Sequence, residues 1–226
     1  MSSKPQALRK KTTIVRDHPR RVPVSRKNPA GITIVDQHSR RVRGPSLDGA
    51  AIRAITKTHL RTGLTYPTPG RLQQYKNADK YDDLIAVWTE YFNKALQAEP
   101  SLEPDLIKAL IASESGFDAA PKTRVALGIS QITKETLSAL QDPDGETKEF
   151  TFKKIRQKDL KDPSIAIPLA IRWLIRKQRT AANRLGRKPS PEEVILEYKG
   201  LLKSTTIYKE RALANFRKHY AALRSK

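Results

Sequence analysis

The sequence predicts an all-α domain over residues 81–226, entered through a helical extension and linker at 46–80 and a basic, largely irregular arm at 1–45. Two observations carry the helical expectation. From Tyr81 onward apolar residues recur at helical spacing, and the alternating β-branched runs that mark a sheet are absent. A third observation sets the arm apart. It holds twelve Lys/Arg against Asp17 and Asp36, with Pro5, Pro19, Pro23 and Pro29 and few large apolar side chains, a composition that argues against a packed core.

The arm nevertheless repeats itself. Thr13-Ile14-Val15-Arg16-Asp17-His18-Pro19-Arg20-Arg21-Val22 recurs twenty residues later as Thr33-Ile34-Val35-Asp36-Gln37-His38-Ser39-Arg40-Arg41-Val42, sharing TIV-x-x-H-x-RRV. Two copies are too few for a solenoid, so they are read either as twin extended docking motifs in a flexible arm or as a basic disordered tail that carries a duplication. His18 and His38 have no carboxylate or Cys cluster beside them, and neither a metal nor a cofactor is expected.

A helix is expected over 46–62, opening after Pro45-Ser46 and carrying Ala51, Ile52, Ile55 and Leu60. Gly63, Pro67, Pro69 and Gly70 make 63–80 a turn-rich connection. The next helix, Tyr81–Gln97, aligns Leu84, Val87, Trp88, Tyr91, Phe92 and Leu96 on one face. Another begins near Pro104, a favoured first helical residue, and stops at Gly116. Shorter helices are expected at 133–141 and 150–159, a long one at 164–184, and two more at 190–200 and 206–224. Trp88 and Trp173 fall on apolar faces and read as core. Arg172, Arg176, Lys177, Arg179, Arg184, Arg187 and Lys188 read as a solvated basic face.

The net charge of +21 points to polyanionic partners: nucleic acid, an anionic membrane, or the polymers of a bacterial wall. Nucleic acid is the weaker choice, because no motif with interleaved aromatics accompanies the charge. No cysteine is present, which excludes a thiol nucleophile and Cys-ligated zinc. No run is long enough for a membrane span, and no apolar h-region follows the basic start.

One carboxylate stands out. Leu106, Ile107, Leu110 and Ile111 form an apolar helical face, and Glu114 continues it just before the stop at Gly116. A carboxylate there is costly to keep ionised, and a carboxyl group that holds its proton near neutral pH is what general acid catalysis requires. Paired with one of the many arginines, Arg124 for instance, the same residue would be structural.

Four segments in order then point to a family. They are Ala112-Ser113-Glu114-Ser115-Gly116-Phe117-Asp118, Ala126-Leu127-Gly128-Ile129-Ser130-Gln131, Glu197-Tyr198-Lys199-Gly200, and Thr205 to Tyr208. Residues 81–226 thereby resemble the lysozyme-like soluble lytic transglycosylase (SLT) domain, whose patterns are an ES pair, A-x-G-L-M-Q, A-Y-N-A-G and E-T-x-x-Y. Goose-type lysozymes share the fold. The resemblance implies an enzyme that cuts the β-1,4 bond between N-acetylmuramic acid and N-acetylglucosamine in peptidoglycan and leaves a 1,6-anhydro end. It implies Glu114 as acid and then base, with Ser115, Gly128, Gln131, Tyr198 and Tyr208 around the substrate. One carboxylate suffices because the nucleophile is the substrate's own C6 hydroxyl, whereas an ordinary glycosidase needs two. Asp118 is the nearest second carboxyl in sequence, and it is expected to point into a loop.

Two residues depart from the pattern. Lys199 replaces the asparagine of A-Y-N-A-G, and Ser130 replaces the methionine of G-L-M-Q. The competing readings are a goose-type hydrolase and a non-catalytic polyanion-binding scaffold on a retired SLT domain. If the wall is the substrate, the protein acts outside the cytoplasm. Delivery without a Sec signal is then expected, by a phage virion, a dedicated secretion machine or lysis.

Overall fold

The computed structural model describes residues 12–15, 18–21, 32–35, 38–41, 44–59, 63–121 and 125–225. In the arm, expected to be largely irregular, the described residues form four short strands: β1 (Thr12–Val15), β2 (His18–Arg21), β3 (Ile32–Val35) and β4 (His38–Arg41). β1 pairs antiparallel with β4, and β2 with β3. Each copy of the repeat therefore pairs with the other in reverse order: Thr13 lies opposite Arg40, and Arg20 opposite Thr33. Sequence periodicity could not show this, because the pairing is between copies and not within one.

The rest is helical. After β5 (Ser46–Leu47) come α1 (Gly49–His59), α2 (Asp82–Leu96) and α3 (Pro104–Ser115). The small hairpin of β6 (Ala126–Leu127) and β7 (Ile132–Thr133) leads directly into α4 (Lys134–Gln141). Beyond it lie β8 (Thr151–Phe152), a 3₁₀ turn (Gln157–Lys161), α5 (Pro163–Leu185), α6 (Pro191–Tyr198) and α7 (Thr206–Arg224).

These helices match the expected ones within a few residues, except at 150–159. There β8 pairs in parallel with β5, and a 3₁₀ turn follows. The side chains explain the difference. Phe150 and Phe152 are both buried, two residues apart, which is the strand period rather than the helical one, and Lys154 has a φ of 58°.

α5 is the centre of the domain. Ile165, Ala166, Ile167, Leu169, Ala170, Ile171, Leu174 and Ile175 are all buried, so its first half is apolar on every side and must be enclosed. Asp162 caps it, accepting from the Ser164 N–H at 2.9 Å, and Pro163 follows at the first turn. α2, α1 and α6 pack around α5, while α7 packs along α3. Trp88, Phe92, Phe150 and Phe152 form an aromatic cluster, with Phe92 and Phe150 centroids 5.1 Å apart. Ile52 of α1 and Leu72 of the connection are fully buried in the same core.

The basic face of α5 is only partly the solvated surface expected: Arg184, Arg187 and Lys188 are exposed, whereas the residues before them are drawn into contacts. Arg172 is fully buried, donating to the Phe150 and Thr147 carbonyls at 3.0 and 3.1 Å beside Glu149. Burial pulls its guanidinium down to about 10, against the pull of Glu149. Arg176 and Lys177 meet Glu146, Arg179 meets Glu149, Arg184 meets Glu197 and Arg187 meets Glu193. Charge counting along one helix missed carboxylates supplied by other segments.

Candidate active site

The site forms where the C-terminal end of α3 meets the β6–β7 hairpin and the end of α6. α3 stops at Gly116, which has a φ of 60° and returns its N–H to the Ala112 carbonyl at 3.1 Å. A side chain there would also strike the Tyr75 ring, since a Cβ would lie 2.8 Å from it. Tyr75 packs on Phe117 and shares a hydrogen bond with His219 Nε2 at 3.0 Å, so the connection and α7 together fix the turn after Glu114. Tyr75 and His219 escaped sequence reasoning because they lie far from the motif in the chain and match no pattern.

Ser115 ties the helix to the hairpin. Its hydroxyl donates to the Ile129 carbonyl at 2.7 Å. The hairpin turns between Gly128 and Gln131, whose N–H and side-chain Nε2 both donate to the Gly128 carbonyl, at 3.1 and 2.9 Å. Gly128 is buried with a φ of 73°, and a Cβ would lie 2.0 Å from the Leu160 carbonyl. The structure thus gives this glycine a packing reason, the close approach of the 3₁₀ turn, in addition to the approach to a sugar expected from sequence. Ser130, where the family pattern has methionine, is buried with its hydroxyl on the Ala166 carbonyl at 3.4 Å.

α6 reaches the same junction. The Tyr198 hydroxyl donates to the Ser130 carbonyl at 2.9 Å. Burial, reinforced by the negative charge of Glu114, pushes its phenol far up, so it acts as a neutral donor. The next residue, Lys199, forms an ion pair with Glu114 through Nζ and Oε1. The Glu114 side chain is 15% exposed and that of Lys199 20%, so the pair sits in the wall of the site and not inside the core. Leu110, Ile111 and Phe117, expected as apolar neighbours of Glu114, are buried.

Glu114, Ser115, Gly128, Gln131 and Tyr198 are therefore brought to one junction. Tyr208 is different: it is 62% exposed in the first turn of α7 and, among the described residues, makes no hydrogen bond to Glu114. Asp118 is exposed, and its carboxylate accepts from the Ala120 N–H at 2.9 Å within the loop. Arg124, the alternative partner for Glu114, lies outside the described residues.

The family profile of the Transglycosylase SLT domain matches residues 90–200, a span that holds Glu114, the hairpin and Lys199. This stretch is an SLT domain. Comparisons with curated proteins and with solved structures give no match. The SLT domain family supports a glycan-cleaving enzyme, and its substrate is the peptidoglycan of the cell wall. Among the described residues no helix is long and apolar enough to cross a membrane.

Proposed function

We propose that this protein is a lytic transglycosylase in which Glu114 is the only catalytic carboxylate. The observation that supports this most is its isolation. The Ser115 hydroxyl, the Gln131 amide and the Tyr198 hydroxyl bond carbonyls of the adjoining hairpin, and among the described residues the side chain paired with Glu114 is the Lys199 ammonium and not a carboxylate. A hydrolase that activates water needs a partner carboxylate across the scissile bond.

In the proposed reaction Glu114 gives its proton to the glycosidic oxygen as the bond from that oxygen to the muramyl C1 breaks. The muramyl C6 hydroxyl then attacks C1 and passes its proton to the Glu114 carboxylate. The acid is regenerated, no water enters, and the product ends in a 1,6-anhydro sugar. Tyr198 donates to the hairpin carbonyl of Ser130 and keeps α6 and the hairpin in register. Gln131 supplies an amide for the sugar substituents, and Tyr208, exposed at the start of α7, contributes a hydroxyl to substrate in this reading. With the wall as substrate the protein works outside the cytoplasm.

Mass analysis of the muropeptides released from purified sacculi tests the reaction. Fragments one water lighter than lysozyme products support it, and hydrated reducing ends would move the protein to the goose-type hydrolases. Release of nothing by the wild type would leave the scaffold reading standing.

A further inference from the structure

The Lys199–Glu114 pair poses a problem for the reaction. The ammonium occupies the Oε1 oxygen of Glu114, and a general acid must surrender such a partner before that oxygen can face the glycosidic oxygen and deliver a proton. Something arriving with the substrate has to draw Lys199 away. An ammonium carries three donors, and among the described residues Glu114 is the only side chain that Lys199 bonds. Both partners are partly open to solvent, so an incoming anion can reach the lysine without unfolding the wall. The lysine is also held in position. It caps α6 through its own N–H to the Ile195 carbonyl at 2.9 Å, next to Tyr198, whose hydroxyl is fastened to the hairpin.

We propose that Lys199 is a specificity-determining residue: its ammonium exchanges Glu114 for a carboxylate carried by the glycan strand, and only that exchange frees Glu114 to act. The inference rests on Glu114 being the acid. The ligand chemistry is a carboxylate near the scissile bond. It has two sources, the lactyl carboxylate of a muramyl residue stripped of peptide and a carboxylate of an attached peptide. A neutral strand of the same length and linkage offers no partner for Lys199 and leaves the ion pair closed. The exchange replaces one charge-assisted contact by another, so its cost is small when the anion is present and large when it is absent.

The test compares kcat/KM on three strands: peptide-free strands with lactyl carboxylates, the same strands with those groups converted to methylamides, and peptide-bearing strands. The wild type is expected to prefer the anionic peptide-free strand over its methylamide by about tenfold or more, the worth of one charge-assisted hydrogen bond. In Lys199→Asn that preference falls to within about twofold, because the methylamide is cleaved faster relative to the anionic strand. Lys199→Gln repeats the test should the asparagine variant melt early. Lys188→Asn, which removes one exposed charge before α6, keeps the wild-type preference and separates the effect from bulk attraction of polyanions. Peptide-bearing strands cleaved as fast as the peptide-free ones show that a peptide carboxylate serves as well as the lactyl group, faster cleavage assigns the carboxylate to the peptide, and slow cleavage assigns it to the lactyl group. Equal preference in wild type and Lys199→Asn, or a wild type that cleaves the methylamide as fast as both carboxylate-bearing strands, overturns the inference. A wild type that cleaves none of the three strands overturns the assignment of Glu114 itself, a result distinct from lost discrimination.

Discussion

Helix α3 carries two lysine–carboxylate sites two turns apart, and they are built differently. Lys108, in mid-helix, has no exposed side-chain surface. It donates to Asp79 at 2.6 Å, Asp82 at 2.9 Å and the Thr68 carbonyl at 3.0 Å, so all three of its donors are used. At the end of the helix Glu114 meets, among the described residues, Lys199 alone, in a wall that solvent reaches. A saturated, buried cation has nothing left to offer a ligand and stitches 68–82 onto the helix. A cation with one partner and spare donors can trade that partner. The same pair of residue types therefore reads as structure in one place and as chemistry in the other, and burial with donor saturation decides which.

The largest effect should come from the closed site. Lys108→Met leaves a buried carboxylate without its counter-charge and is expected to cost about 3–5 kcal/mol of stability, read by denaturant melting. A loss below about 1 kcal/mol would erase the contrast between the two sites.

Smaller effects follow from the acid in that cluster. Burial lifts the Asp82 carboxyl from 3.8 to about 6, against the pull of Lys108 and with the help of Asp79 and Asp105. The folded chain thus holds this proton to higher pH than the unfolded chain does. Its contribution to stability is fullest below 3.8 and is lost as pH rises toward about 6. Melts of wild type and Asp82→Asn across that window should show the wild type losing ground to the variant as pH rises. An opposite trend would mean that Lys108 outweighs desolvation there.

The smallest effect on stability belongs to the open site. Lys199→Asn should change the unfolding free energy by less than about 1 kcal/mol, since a partly exposed pair contributes little. A loss comparable to that of Lys108→Met would make Lys199 a structural cation as well.

Much of this was legible in the chain. The helical stripes of α2, α3 and α7 follow from apolar spacing, and Gly116 and Pro104 mark the ends of α3 because their backbone preferences are local. Glu114, Ser115 and the Gly128–Gln131 turn were visible as a motif, and the structure brings them together through Ser115 and Ile129. What escaped depends on segments distant in sequence. Arg172 looks like one more solvated arginine until Phe150 and Thr147 supply carbonyls to it. Phe150 and Phe152 looked helical until β5 offered an edge. Lys199 was visible only as a departure from a family pattern, and its partner lies 85 residues earlier. Burial and partnership are tertiary properties, and no period in a single sequence encodes them.

The most direct measurement is glycan release from sacculi by wild type and Glu114→Gln, with a melting curve of each protein alongside. Glutamine keeps the size of the side chain and removes its acid. The account predicts a folded variant that melts close to wild type and releases product about a thousandfold more slowly, the scale of a lost general acid. A folded Glu114→Gln that releases product at the wild-type rate would contradict it.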